Sequence, residues 1–158
     1  MAPPEPAAPP PLLLGTFEDD YGIAYSISAA RWHQHPNATY RIVQWDLEGR
    51  YLIAQNAEAN PSDGGLWTRI DWITLSDMPP YEWAFCLSAY NAPTAEEAER
   101  TVLANRDTPR TGCNGYPFSR MRRRSLGHRP EANLARPGYS GPVTASERTN
   151  PPVASPLP

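Results

Sequence analysis

Trp67-Thr68-Arg69-Ile70-Asp71-Trp72-Ile73-Thr74-Leu75, then Ser76-Asp77-Met78-Pro79-Pro80, then Tyr81-Glu82-Trp83-Ala84-Phe85-Cys86-Leu87-Ser88: the reading of this stretch decides the fold class. Both flanks alternate with period two, and a strand sends successive side chains to opposite faces. Tyr81, Trp83, Phe85 and Leu87 share one face, the largest apolar contribution in the chain. In the first flank Trp67, Arg69, Asp71 and Ile73 point one way and Thr68, Ile70, Trp72 and Thr74 the other. The two prolines between the flanks forbid a continuous strand. Two successive antiparallel strands are therefore predicted.

Towards the N-terminus the same period recurs. Tyr21, Ile23, Tyr25 and Ile27 form an apolar face with small residues between them, predicting a strand over 21–27. Residues 40–45 and 51–55 flank Asp46-Leu47-Glu48-Gly49, a hairpin connection with a glycine where φ > 0 is expected. Towards the C-terminus the pattern changes to helical. Thr94 with Glu97 three residues later is a capping box, and Ala95, Ala98 and Val102 share one face of a helix expected to reach about Ala104. Five or six strands followed by one helix predict a mainly β fold: an antiparallel meander forming a small, partly open barrel or sandwich with one C-terminal helix.

Composition sets the limits of that domain. The chain has 158 residues, 40% of them hydrophobic, which fits one domain with tails. Of its 20 prolines, six fall in residues 1–14 and seven in 130–158. Residues 1–14 therefore read as a Pro/Ala-rich disordered linker, 15–121 as a single β-rich domain, and 122–158 as a disordered Pro/Arg-rich tail. No run approaches the ~20 apolar residues of a membrane-spanning helix, and residues 1–14 lack the basic and apolar regions of a signal peptide. Net charge is −3, but residues 15–92 carry ten acids against four arginines, while 119–158 carry seven arginines against two acids.

Candidate chemistry is sparse. There is no Gly-x-Ser-x-Gly elbow, His-Glu-x-x-His pair, phosphate loop or dinucleotide motif. Trp67, Arg69 and Asp71 are the candidate ligand-binding residues, because a guanidinium and a carboxylate on one face beside an aromatic ring can orient a small ligand. The competing reading, which is favoured, is a structural Arg69–Asp71 pair stacked on a tryptophan. His33-Gln34-His35 puts two imidazoles on one side of an extended segment, half of a metal site, with solvated loop histidines as the alternative. Residues 56–65 place oxygen-bearing side chains with a loose resemblance to a calcium loop, but Pro61 stands where the tight turn needs glycine. Arg120-Met121-Arg122-Arg123-Arg124 is a basic knot without interleaved aromatics, read as a solvated junction and not as a nucleic-acid surface. No metal and no cofactor is expected. The two cysteines, Cys86 and Cys113, allow one bridge or two free thiols; a bridge suits a small domain in an oxidising compartment.

Residues Gly15-Thr16-Phe17-Glu18-Asp19-Asp20-Tyr21-Gly22, Tyr51 to Asn56, Leu66 to Trp72, Phe85 to Ala92, and Gly112 to Ser119 together resemble a group of small bacterial proteins, often secreted or lipid-anchored, whose role is unknown. The resemblance spans about 15–121, implies a Cys86–Cys113 pairing and supplies no catalytic residue. A weaker similarity is to lipocalin- and avidin-like barrels, which have eight strands where five or six are counted here. The leading expectation is a non-enzymatic, extracytoplasmic or secreted β-domain that binds a small molecule, glycan or protein. The alternatives are a hydrolase or isomerase using carboxylates such as Asp19, Asp20 and Asp71, and a purely structural or interaction module.

Overall fold

The computed structural model describes residues 8–124. Eight antiparallel strands follow one another around a closed barrel: β1 (Gly15–Asp19), β2 (Ala24–Ile27), β3 (Arg31–Gln34), β4 (Ala38–Asp46), β5 (Tyr51–Asn56), β6 (Trp67–Thr74), β7 (Trp83–Ala92) and β8 (Ser119–Arg123). One short helix, α1 (Ala95–Arg100), lies in the long connection between β7 and β8. The mainly β, antiparallel class with a C-terminal helix is thus the observed one. The barrel is closed where the pattern left it partly open, because β1, β3 and β8 add to the strands that periodicity marks.

Period two sorts the side chains. Phe17, Tyr25, Trp32, Leu52, Ile70, Trp72, Trp83, Phe85 and Met121 point inward and are buried. Their rings meet edge to face, with Phe17–Trp83 centroids 5.3 Å apart and Trp32–Phe85 5.0 Å apart, the arrangement that ring quadrupoles favour. An eight-stranded barrel is just wide enough for such side chains to fill. Trp83 Nε1 is buried in this interior without a hydrogen-bond partner among the described residues.

β1 closes on β8 with Glu18 directly opposite Arg122. Arg122 bonds Glu18 at 3.0 Å and Arg120 bonds Asp20 at 2.9 Å. Arg123 lies over the Phe17 ring and donates to Leu14 O, and a Cβ on Gly15 would stand 2.5 Å from its guanidinium. The guanidinium could swing aside, but the φ of +131° favours glycine there in any case. The basic knot is therefore not a junction after the domain: Arg120 to Arg123 belong to the closing strand, Arg122 and Arg123 exposed on it, and the domain runs through Arg123. Residues 125–158, the rest of the expected tail, lie outside the described residues, as do 1–7.

The linker reading also needs correction at its end. Pro11–Leu13 forms a 3-10 turn and Leu13 is fully buried against the barrel core, flanked by partly buried Leu12 and Leu14. Three leucines after a proline run carry the apolar area to close the barrel end where β1 begins. Leu13→Ala is expected to lower unfolding free energy by about 2–3 kcal/mol, the lower part of the range for buried leucines, because a barrel mouth can partly collapse. Urea unfolding monitored by tryptophan fluorescence measures it.

Two local expectations shift. In the β4–β5 turn Arg50, not Gly49, takes positive φ (57°); Gly49 is needed because a Cβ there would meet the Tyr51 ring at 2.8 Å. Helix α1 is capped by Thr94, whose hydroxyl accepts from Glu97 N–H at 3.1 Å, but it ends at Arg100 and leaves Val102 exposed. Past Thr101 the chain is held to the barrel by side chains instead of by helical turns.

Candidate functional site

The outer face of β6 and β7 is covered by the β7–β8 connection, residues 93–118, and the candidate residues Trp67, Arg69 and Asp71 lie beneath it. Arg69 and Asp71 form a two-pronged pair, with Nε to Oδ2 at 3.0 Å and the second guanidinium nitrogen to Oδ1 at 2.9 Å. Both are buried, at 5% and 1% exposure. Asp71 also accepts from Ser88 Oγ at 2.5 Å and from Arg106 at 2.9 Å, so four donors occupy its two oxygens. The remaining Arg69 nitrogen donates to Glu99 O at 2.6 Å. Its guanidinium stacks on Tyr51, 3.9 Å from the ring centre, and not on a tryptophan. Burial, followed by the neighbouring Glu99 and Asp46, pushes the Tyr51 hydroxyl far above its ordinary range. Trp67 packs beside Ile53, Ala92 and Ala98 in a small apolar cluster under α1. The hydrogen-bonding capacity of Arg69 and Asp71 is turned into the fold.

Arg106 extends the same network. It donates to Trp72 O, Gly49 O and Arg50 O, tying the connection to β6 and to the β4–β5 turn. On its other flank Cys86 and Cys113 are joined in a disulfide, Cα atoms 5.5 Å apart, packed with Ile73, Ala84 and Phe118.

Beside the disulfide the connection stands off from the sheet and leaves a groove of about 640 Å³. Ile73, Leu75, Met78, Ala84 and Phe118 give it an apolar lining, Pro109 and Pro117 belong to its outer wall, and Asp20, Arg110 and Arg120 supply charge. Asp20 Oδ2 accepts from Arg120, whose guanidinium also lies 4.6 Å from the Tyr81 ring centre. Asp20 Oδ1 is buried and has no hydrogen-bond partner among the described residues. Sequence reading missed this groove, whose only local signals were the Pro-Pro turn and the Tyr116-Pro117-Phe118 segment.

The three carboxylates of the hydrolase reading do not come together. Asp19 points into the barrel, where Tyr25 OH donates to it at 2.7 Å and the N–H groups of Tyr21 and Ile23 bond its other oxygen. Burial raises its pKa above the usual carboxylate value against these donors, and burial with the Asp19 charge pushes Tyr25 up as well. Asp20 faces the groove. Asp71 is on the outer face of β6, three strand spacings from β1 by way of β7 and β8, about 14 Å.

A second concavity, about 610 Å³ and wide open, lies over β2, β3 and β4 and is lined by Gly15, Ser26, Ile27, Ser28, Arg31, His33 and Thr39. His33 and His35 stand together at its edge, ring centres 4.4 Å apart. His33 Nδ1 is hydrogen-bonded to Thr39 Oγ1 and His35 Nε2 to Ser26 Oγ, each at 2.8 Å. Burial, then the neighbouring His33 and Arg124, lowers the His35 pKa. In the 56–66 loop, Asn56 donates to Asp63 O and Tyr90 O and accepts from Thr68, and Asn60 bonds both backbone groups of Thr39. Those amides shape the loop, which is the polar-loop alternative to calcium ligation. Among the described residues no three His, Cys, Asp or Glu side chains cluster for a metal, and no helix is long and apolar enough to cross a membrane.

Compared with models of protein families, with curated proteins and with solved structures, the chain matches none.

Proposed function

We propose that the chain is a non-enzymatic, extracytoplasmic binding domain whose ligand is a small, largely apolar molecule bearing a hydroxyl, held in the groove between the β6–β7 face and residues 104–118. The observation that carries this reading is Asp20. A carboxylate oxygen buried without a partner is rare in native proteins, and because the Asp20 side chain as a whole is 18% exposed, a small rotation presents that oxygen to a donor in the groove. Asp20 sits in a groove that is otherwise mainly apolar and whose volume is in the range of small-molecule sites. A neutral hydroxyl suits the position better than an ammonium, because Arg120 and Arg110 already place positive charge beside it. The filled barrel interior supports a ligand held on the outside, unlike a barrel that holds its ligand inside. The disulfide accords with an oxidising compartment.

The test compares 2-naphthol with 2-methoxynaphthalene, which has the same apolar body and no donor. We expect saturable 2-naphthol binding, at least about tenfold tighter than the methyl ether, as a hydrogen bond to a charged acceptor supplies. Asp20→Ala should abolish the preference, and Met78→Trp, which narrows the groove from its exposed rim, should weaken binding of both. Equal affinity for the two compounds, or binding of neither, overturns the proposal.

A further inference from the structure

The outer surface of β3 carries an arrangement that the groove does not involve. Residues 33 and 35 are two apart on extended chain, so both imidazoles project from the same side. His33 belongs to β3, and the His35 N–H continues the ladder by donating to Ala24 O at 2.9 Å. The two Cα positions are thus set by the sheet and not by a free loop. Each ring is then oriented by a hydroxyl from a neighbouring strand: Thr39 on β4 holds His33 Nδ1, and Ser26 on β2 holds His35 Nε2. These contacts occupy one nitrogen of each ring and leave His33 Nε2 and His35 Nδ1 for another partner. An oxygen on the far ring nitrogen is the outer-shell arrangement that fixes the tautomer of a metal-bound histidine.

The ring separation fits the same role. With a metal–nitrogen bond of about 2.0–2.1 Å the metal lies about 3.2 Å from each ring centre, and ligands at a right angle have their ring centres about 4.5 Å apart. The observed separation is 4.4 Å. Right-angled nitrogen ligands are characteristic of tetragonal copper(II) and nickel(II), and copper(II) heads the affinity order for such sites.

We propose that His33 and His35 form a two-histidine chelate for a divalent late transition-metal ion, copper(II) before the others, with Thr39 and Ser26 as positioning residues. Among the described residues no further His, Cys, Asp or Glu joins the pair as a third ligand, so water completes the coordination. The site faces the open concavity over β2–β4 and does not depend on the reading of the groove.

The experiment uses the full-length, tag-free chain and copper(II) chloride. Titration calorimetry should give one ion per chain with micromolar affinity, and electron paramagnetic resonance should show an axial signal with hyperfine structure from two nitrogens. His33→Ala and His35→Ala should each weaken binding at least tenfold, Thr39→Val should weaken it less, and His128→Ala, as a control outside the described residues, should leave it unchanged. A measurement that needs no variant accompanies these: paramagnetic broadening in the imidazole spectrum should centre on His33 and His35. The proposal is overturned if the wild type binds no copper(II) below millimolar concentration, if only one nitrogen is coupled, or if broadening centres elsewhere.

Discussion

Asp71→Ala should lower the unfolding free energy by about 3–5 kcal/mol, the range for removing one partner of a buried, hydrogen-bonded ion pair. Four donors converge on this carboxylate: two nitrogens of Arg69, one of Arg106 and the Ser88 hydroxyl. Alanine leaves the Arg69 guanidinium at 5% exposure with only Glu99 O and the Tyr51 ring for company. A small domain has about 5–15 kcal/mol in total, so most of its margin would go. Arg69→Ala should fall in the same range towards its lower end, since Arg106 and Ser88 still neutralise and bond Asp71. The charges are not needed for net stability as such, and Arg69→Met with Asp71→Leu should lose much less than the two single changes added together. Urea unfolding of the three variants checks all of this. A loss for Asp71→Ala below about 1 kcal/mol, the ceiling for an exposed pair, would mean that the network is solvated and the triad is open to ligands after all.

The same network shows where the sequence could be read and where it could not. The alternation in 67–75 and 83–88 divides inward from outward residues, because one face of each strand meets a dry core; Tyr81, assigned to the same inward face, falls before β7 and stacks with Arg120 instead. Arg69 and Asp71 are visible as a same-face pair from spacing alone. Their stack on Tyr51 and their bonds to Glu99 and Arg106 are not, since those partners arrive from two other segments. β1, β3 and β8 escaped notice for a common reason. Each supplies only one or two large inward side chains, such as Phe17, Trp32 and Met121, and dresses its outer face with charge or imidazole. A three-acid cluster and a four-arginine knot look like solvated ends when read separately. They are opposite sides of one seam, 104 residues apart at Glu18 and Arg122, and the acidic-to-basic asymmetry of the chain is partly this complementarity. Each such exposed pair contributes under about 1 kcal/mol, but like charges in register would oppose closure. The capping box and the cysteine pair were legible because their signals are local or because two cysteines leave a single intramolecular pairing. The groove was not, since it exists only once the β6–β7 turn, β7 and residues 108–118 are brought side by side.

Replacing both Cys86 and Cys113 by serine should cost about 3–4 kcal/mol. In the chain-entropy model this is the effect of freeing a loop whose ends are 27 positions apart. For a domain of about this size the melting midpoint should fall by about 10–15 °C. The loss should also be local in character. Arg106 still fastens the middle of the connection to Trp72 O, Gly49 O and Arg50 O, and Thr94 still caps α1, so the barrel strands should keep their far-ultraviolet signature below the midpoint. What loosens is the segment from Asn105 to Phe118, and with it Pro109, Pro117 and Phe118 at the groove. The variant should therefore lose 2-naphthol affinity at temperatures where it remains folded. Copper(II) binding at His33 and His35, on and just past β3, should stay as it is. A melting midpoint within about 3 °C of the wild type, less than the shift from 1 kcal/mol, would show that the Arg69–Asp71–Arg106 network alone holds the connection down. A fall in naphthol and copper binding together would instead show that the bridge supports the whole barrel and not one wall of its groove.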